Sequence, residues 1–160
     1  MDQVREAPEG ERGDVPHGAC GQPKDVHVVV GVEPNYLRGA LAVMNSILKN
    51  AECPGAVLFH VVVTAPDGGK MLANTLHEKL PHLRFHKYPF DDKHVRTLIT
   101  RAMREDLSSS LNYARFYLHA LLPECVSKIV YFDTDLIVTG RIEKLWAMPL
   151  HVCPPYLPPN

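Results

Sequence analysis

Two apolar runs, Val26-His-Val-Val-Val-Gly-Val32 and Val57-Leu-Phe-His-Val-Val-Val63, each followed by a stretch of helical periodicity, most constrain what this chain can become. Both have the length and β-branched content of buried strands. After the first, Leu37, Leu41, Met44 and Leu48 recur at helical spacing until Glu52-Cys-Pro-Gly55 ends the unit. After the second, Met71, Leu72, Leu76 and Leu80 mark another amphipathic helix, which Pro81 stops. A third strand is expected at Leu83 to Tyr88, a helix from Leu111 to Leu122 ended by Pro123, and a strand from Lys128 to Val138. Strands alternating with helices every 25 to 30 residues or so predict an α/β fold, with a parallel or mixed sheet and helices on both faces.

The flanks break this rhythm. Residues 1–24 mix Glu, Arg, Gly and Pro without periodicity and are expected to form a mobile leader. The domain is expected over residues 25–146, with one or two short helices and a Ser-rich turn between Asp91 and Ser110. From 147 to 160 the pattern collapses, because Pro149, Pro154, Pro155, Pro158 and Pro159 prevent regular structure, and a Pro-rich irregular tail is expected.

Composition narrows the partners. A net charge of -1 with interspersed signs creates no basic field, so neither nucleic acid nor an anionic membrane is expected as a partner. No run approaches the 18 or so apolar residues of a membrane span, and no basic region followed by an apolar one opens the chain. The reading at this level is therefore a chain that is neither secreted nor anchored. The four cysteines, Cys20, Cys53, Cys125 and Cys153, form no Cys-x-x-Cys pair, so no structural zinc site is expected; buried or free thiols are expected, with a disulfide as the alternative in an oxidising compartment.

Chemistry enters through Asp133 and Asp135, which interrupt the apolar run Lys128-Ile-Val-Tyr-Phe-Asp-Thr-Asp-Leu-Ile-Val138. On an extended chain, residues two apart share a side, so both carboxylates can converge on one hard cation that neutralises a diphosphate. The bland alternative is a strand-end acid pair making helix caps or surface salt bridges. The tripeptide is weak by itself: nine Asp in 160 residues give about half a chance match. No Gly-x-Gly-x-x-Gly follows the first strand, where Gly31-Val-Glu-Pro-Asn-Tyr36 stands instead. Gly68-Gly-Lys70 lacks the upstream glycine of a P-loop, and Met71 replaces its hydroxyl residue. A bound diphosphate would therefore depend on a metal, at the carboxyl ends of the strands where open α/β sheets bind ligands. His27 and His60, inside apolar runs, are expected as satisfied core histidines.

Taken in order, Val26-His-Val28, Tyr36-Leu-Arg-Gly39, Leu111-Asn-Tyr-Ala-Arg115, Leu121-Leu-Pro-Glu-Cys125 and Val130-Tyr-Phe-Asp-Thr-Asp135 resemble glycosyltransferase family 8, most closely its plant galacturonosyltransferase-like branch. The resemblance covers roughly residues 25–146, and Arg5-Glu-Ala-Pro8 looks like the segment preceding the domain in that branch. It implies a GT-A (Rossmann-like) fold and a retaining, metal-dependent transfer of a sugar, galacturonate in this branch, from a UDP-sugar to a pectic or cell-wall polysaccharide. It implies Mn2+, or Mg2+, held by Asp133 and Asp135, and a location in the Golgi. Arg115 matches an arginine whose planar fork suits phosphate or sugar hydroxyls; its alternative is an ordinary surface arginine. Tyr36 matches an aromatic that stacks on uracil, with a core aromatic at a helix start as alternative. Asn35 and Glu33 share that nucleotide-facing loop. Trp146 matches the family pattern and is expected as a core residue.

The chain also departs from its branch. Where relatives commonly carry Thr and, two residues on, Asp at the end of the first strand, this chain has Gly31 and Glu33. Only 25 residues follow Asp135, whereas relatives draw a third metal ligand, a His, and much of the acceptor site from a long downstream half. His151 does not lie in the matching context. A truncated and weakly metal-binding glycosyltransferase segment is accordingly expected. Two further readings stand beside it: a non-catalytic fragment that associates with other glycosyltransferases, and a haloacid-dehalogenase-like phosphatase using an Asp-x-Asp nucleophile.

Overall fold

A computed structural model describes residues 20–64, 68–90 and 110–150. The leader up to residue 19, the region 91–109 and the tail from 151 lie outside the described residues. Strand β1 (Val26–Val32), helix α1 (Leu37–Asn50), strand β2 (Val57–Thr64), helix α2 (Gly68–Lys79) and strand β3 (Arg84–Phe90) follow the expected alternation. A 3-10 helix (Ser110–Tyr117) then runs into a short α3 (Leu118–Leu121), before strand β4 (Val130–Phe132) and helix α4 (Ile142–Trp146).

The four strands form one parallel sheet in the order β3-β2-β1-β4. The chain builds outward from β1 through β2 to β3, then returns to place β4 on the other side of β1, where Val28 to Val30 pair with Val130 to Phe132. Alternation of side chains across the pleat divides the core in two. Val26, Val28, Val30 and Val32 join Phe59, Val61 and Val63 beneath Ala40, Val43, Met44 and Ile47 of α1, Leu72 and Leu76 of α2, and Ile142 of α4. On the opposite face Val29, Val62, Tyr88 and Phe90 pack against Leu111, Ala114 and Leu118. Helices therefore cover both faces, as the strand-helix alternation predicts.

Two elements differ from expectation. The segment 111–122 is mostly 3-10 rather than α-helical, although its buried positions, Leu111, Ala114 and Leu118, keep a spacing that one face of an α-helix would also show. The last strand is three residues long instead of running from Lys128 to Val138. Its continuation is held by α1 instead: the Val138 N–H donates to Ser46 Oγ at 2.9 Å, and the Val138 carbonyl accepts from Asn50 Nδ2 at 2.9 Å. Once side chains satisfy that peptide, a strand ladder is unnecessary.

The cysteine expectation is corrected as well. Cys20 and Cys125 form a disulfide across 105 residues, tying the chain just before β1 to the turn just before β4, while Cys53 is an exposed thiol. Spacing without a Cys-x-x-Cys pair rules against zinc but says nothing about partners distant in sequence. Next to the disulfide, Gly21 takes a positive φ of 65°, and a Cβ there would sit 2.7 Å from Asp25 Oδ2. That turn lets the Gln22 N–H donate to the nearly buried Asp25 carboxylate, which also receives both terminal nitrogens of Arg84, at 3.0 and 2.8 Å.

His27 and His60 are satisfied core histidines, as expected. His27 Nδ1 lies 2.9 Å from His60 Nε2, and His60 Nδ1 lies 2.9 Å from the Tyr88 hydroxyl, so neutral rings can link all three with the hydrogen bonds running in either direction. Trp146 lies beside His27 with ring centroids 6.0 Å apart, and Lys128 Nζ stands 4.9 Å above its indole while bonding to the Trp146 and Met148 carbonyls. Burial, together with the neighbouring His27 and His86, lowers the His60 pKa to about 4, and burial pushes Tyr88 up to about 12.

Replacing Cys20 and Cys125 by Ser is expected to cost about 2–5 kcal/mol of unfolding free energy, the range for a bridge closing a loop this long; denaturant titration checks it, and an unchanged midpoint would contradict it. For His60, a folded pKa below the unfolded value means that the unfolded state takes up the proton first. Stability should be full above about 6.5 and fall as the pH descends toward about 4. The unfolding midpoint of a His60→Leu variant should fall less steeply over that window than the wild-type midpoint.

Candidate functional site

The strand order reverses at β1, with β2 on one side and β4 on the other. Open α/β sheets bind ligands in the crevice beyond the strand ends at such a point. Three groups of residues meet there.

The first is the loop leaving β1. Pro34–Tyr36 forms a 3-10 turn with Pro at its start, and the Tyr36 N–H donates to the Glu33 carbonyl at 3.0 Å. Proline's fixed φ favours such an opening. This leaves Asn35 exposed and Tyr36 56% exposed, too open for the core role that was its alternative. Glu33 is half-buried, and that burial raises its carboxyl pKa above the ordinary range. With Val32, Pro34, Leu37, Val63, Thr64 and Leu72, it lines a shallow concavity over the ends of β1 and β2.

The second group is the acidic turn. β4 ends at Phe132, so Asp133 lies beyond the strand, and Thr134 and Asp135 form a turn. An extended chain would carry both acids with their side chains on one side. Here they bracket a turn instead, because the backbone breaks off from β1 and is drawn toward α1. Both are exposed.

The third group is carried by the 3-10 helix. Arg115 Nη2 lies 3.5 Å from Asp133 Oδ1, and its guanidinium carbon stands 5.2 Å over the Tyr131 ring. The ion pair is long and open to water, so its contribution to stability is small. Its position over Tyr131 adds a cation–π contact beside the acid. Tyr131 has its pKa raised, mainly by burial and further by Asp133, with Arg115 opposing.

Of the residues singled out from sequence, Arg115 and Asp133 are brought together directly, and Asp135 follows within the same turn. Glu33, Asn35 and Tyr36 occupy the neighbouring loop. The link between the two regions is Gly39, three residues after Tyr36: a Cβ there would collide with the Thr134 carbonyl oxygen and lie 3.2 Å from its carbon. Sequence reasoning missed Tyr131 and the role of Gly39. Gly39 carried a signal, since glycine is a poor choice inside an amphipathic helix unless something approaches closely. Gly31 also has a local reason: a Cβ there would come within 3.1 Å of Leu111 and 3.4 Å of the Tyr131 hydroxyl.

Among the described residues, no three His, Cys, Asp or Glu side chains form a metal-binding group. The donor set nonetheless suits a hard divalent cation: two exposed carboxylates at one turn, with coordination left for water and phosphate oxygen. No helix among the described residues is long and apolar enough to cross a membrane.

Comparison with known proteins gives this arrangement its class. The glycosyl transferase family 8 model matches residues 27–153, and the chain belongs to that family. It is 42% identical over 132 residues to a probable galacturonosyltransferase-like 10 of Arabidopsis thaliana, covering 82% of this chain and 36% of that protein. It is also 42% identical over 142 residues to a probable galacturonosyltransferase-like 7 of the same plant, covering 89% and 38%. The chain thus spans well under half the length of these relatives. Among solved structures, it is similar to the galactosyltransferase LgtC in complex with donor and acceptor sugar analogues, with TM-score 0.61 and 18% identity over 78% of this chain and 43% of that one. The bifunctional glycosyltransferase WbbM gives 0.57 and 25%, over 82% of this chain and 22% of that one. The expected GT-A fold is the one this chain adopts.

Proposed function

We propose that this chain carries the donor-binding segment of a metal-dependent, retaining glycosyltransferase that takes a UDP-sugar. The observation that supports this most is the exposed turn holding Asp133 and Asp135 at the reversal of strand order, with the Arg115 guanidinium beside it. Asp133 and Asp135 would hold Mn2+ or Mg2+, with the remaining coordination supplied by water and diphosphate oxygens. The cation supplies Lewis-acid stabilisation of the charge that builds on the departing nucleotide.

The protein's own groups divide the rest of the task. Arg115, its guanidinium over the Tyr131 ring, offers donors to phosphate or sugar hydroxyls and can exchange its loose contact with Asp133 for them. Tyr36 presents an exposed ring for a base to stack on. Glu33 accepts hydrogen bonds from the base edge at the rim of the concavity, with Asn35 adjoining. The names of the Arabidopsis relatives support galacturonate as the sugar and, with the plant branch, a pectic or cell-wall polysaccharide as acceptor. A disulfide within the domain supports a lumenal, oxidising compartment such as the Golgi rather than a reducing one.

Calorimetric titration of UDP into the chain should show binding that strengthens with Mn2+. The double variant Asp133→Asn, Asp135→Asn should lose that metal-dependent part by more than the 10- to 100-fold or so typical of outer-shell partners. Metal-independent binding, or a double variant indistinguishable from wild type, would overturn the reading.

A further inference from the structure

The acidic turn receives little support from its own segment. β4 ends at Phe132, the ladder to β1 ends with it, and the side-chain contact of Asp133 to Arg115 is long and solvent-exposed. Something else must fix the Thr134 peptide between the two carboxylates. In this structure α1 lies against it. Gly39 is the third residue of α1, and its missing side chain leaves the space that the Thr134 carbonyl occupies. The Thr134 Cβ also lies 3.5 Å from where a Gly39 Cβ would stand. The obstruction would be backbone, so no rotamer change could relieve it.

We infer that Gly39 is a positioning residue for metal binding: by letting the α1 backbone approach the Thr134 peptide, it sets the angle at which Asp133 and Asp135 present their carboxylates. The inference rests on the donor-site reading above and adds to it a residue that touches neither metal nor nucleotide. Alanine is the better helix former, so a glycine with no contact to make would be stabilised by replacement. Gly39 keeps the poorer residue where the acidic turn needs room. Gly55 and Gly140 differ, since a Cβ at either meets nothing within 4 Å.

The test is a titration of Mn2+ into the UDP-saturated chain and, separately, of UDP without metal, for wild type, Gly39→Ala, Gly55→Ala and Gly140→Ala. Gly39→Ala should weaken Mn2+ affinity by 10- to 100-fold or so, the range for residues that orient metal ligands. Metal-free UDP affinity should stay within about twofold of wild type, and the EPR line shape of bound Mn2+ should change; the two control variants should behave as wild type. If Gly39→Ala does not fold, the double variant Gly39→Ala, Thr134→Gly gives the turn freedom to move off the helix. That double variant should fold and still bind Mn2+ at least about tenfold more weakly than Thr134→Gly alone. Mn2+ affinity preserved in Gly39→Ala, or equal between the double variant and Thr134→Gly, overturns the inference while leaving the donor-site reading intact. Absence of Mn2+ binding in wild type overturns both.

Discussion

Helix α1 holds the part of the chain in which the candidate chemistry lies. Its apolar face, Ala40, Val43, Met44 and Ile47, is sealed on the sheet over β1 and β2. That burial is the hydrophobic anchor. Its polar edge then does what a strand ladder would otherwise do for the chain after β4: Ser46 and Asn50 satisfy the Val138 peptide, and Gly39 accommodates the Thr134 carbonyl. Just past the helix, the Glu52 and Cys53 N–H groups donate to one Glu143 oxygen at 2.8 and 3.1 Å, which brings in α4. Residues about 90 positions apart are thereby joined by side chain to backbone. A strand edge would have placed the acids on a pleat; this helix places them on a turn.

Much of the fold was legible in the sequence because apolar burial writes itself as periodicity. Val26–Val32 and Val57–Thr64 are buried on both faces, so they read as continuous apolar runs; in α1 the periodic Leu37, Leu41, Met44 and Leu48 mark the helix, though its buried stripe is Ala40, Val43, Met44 and Ile47, with the three leucines partly buried beside it. The acidic turn was legible for the opposite reason, since carboxylates in an apolar run have no packing explanation. Contacts between distant backbones left no such trace. Nothing local tells that Val138 pairs with Ser46, that Cys20 meets Cys125, or that the strand after Lys128 stops at Phe132. The 3-10 helix leaves no mark of its own, because Leu111, Ala114 and Leu118 are spaced as one face of an α-helix would be.

The sheet and its polar core separate two roles. At the strand starts and in the interior, the Asp25–Arg84 pair, the disulfide and the chain His27, His60, Tyr88 are closed arrangements whose polar groups are partnered. They explain why the chain holds together. At the strand ends, Tyr36, Arg115, Asp133 and Asp135 are exposed and only loosely engaged with one another. Exposed side chains at the ends of the strands are where a ligand with a cation and a diphosphate would dock. Family membership and the GT-A fold agree with that division.

The most direct measurement is anomalous scattering from crystals of the chain grown with UDP and Mn2+. The account predicts one manganese peak within coordinating distance of the Asp133 and Asp135 carboxylates and of the diphosphate, with the uracil against Tyr36. A manganese peak elsewhere, or a nucleotide bound away from the ends of β1 and β4, would contradict it.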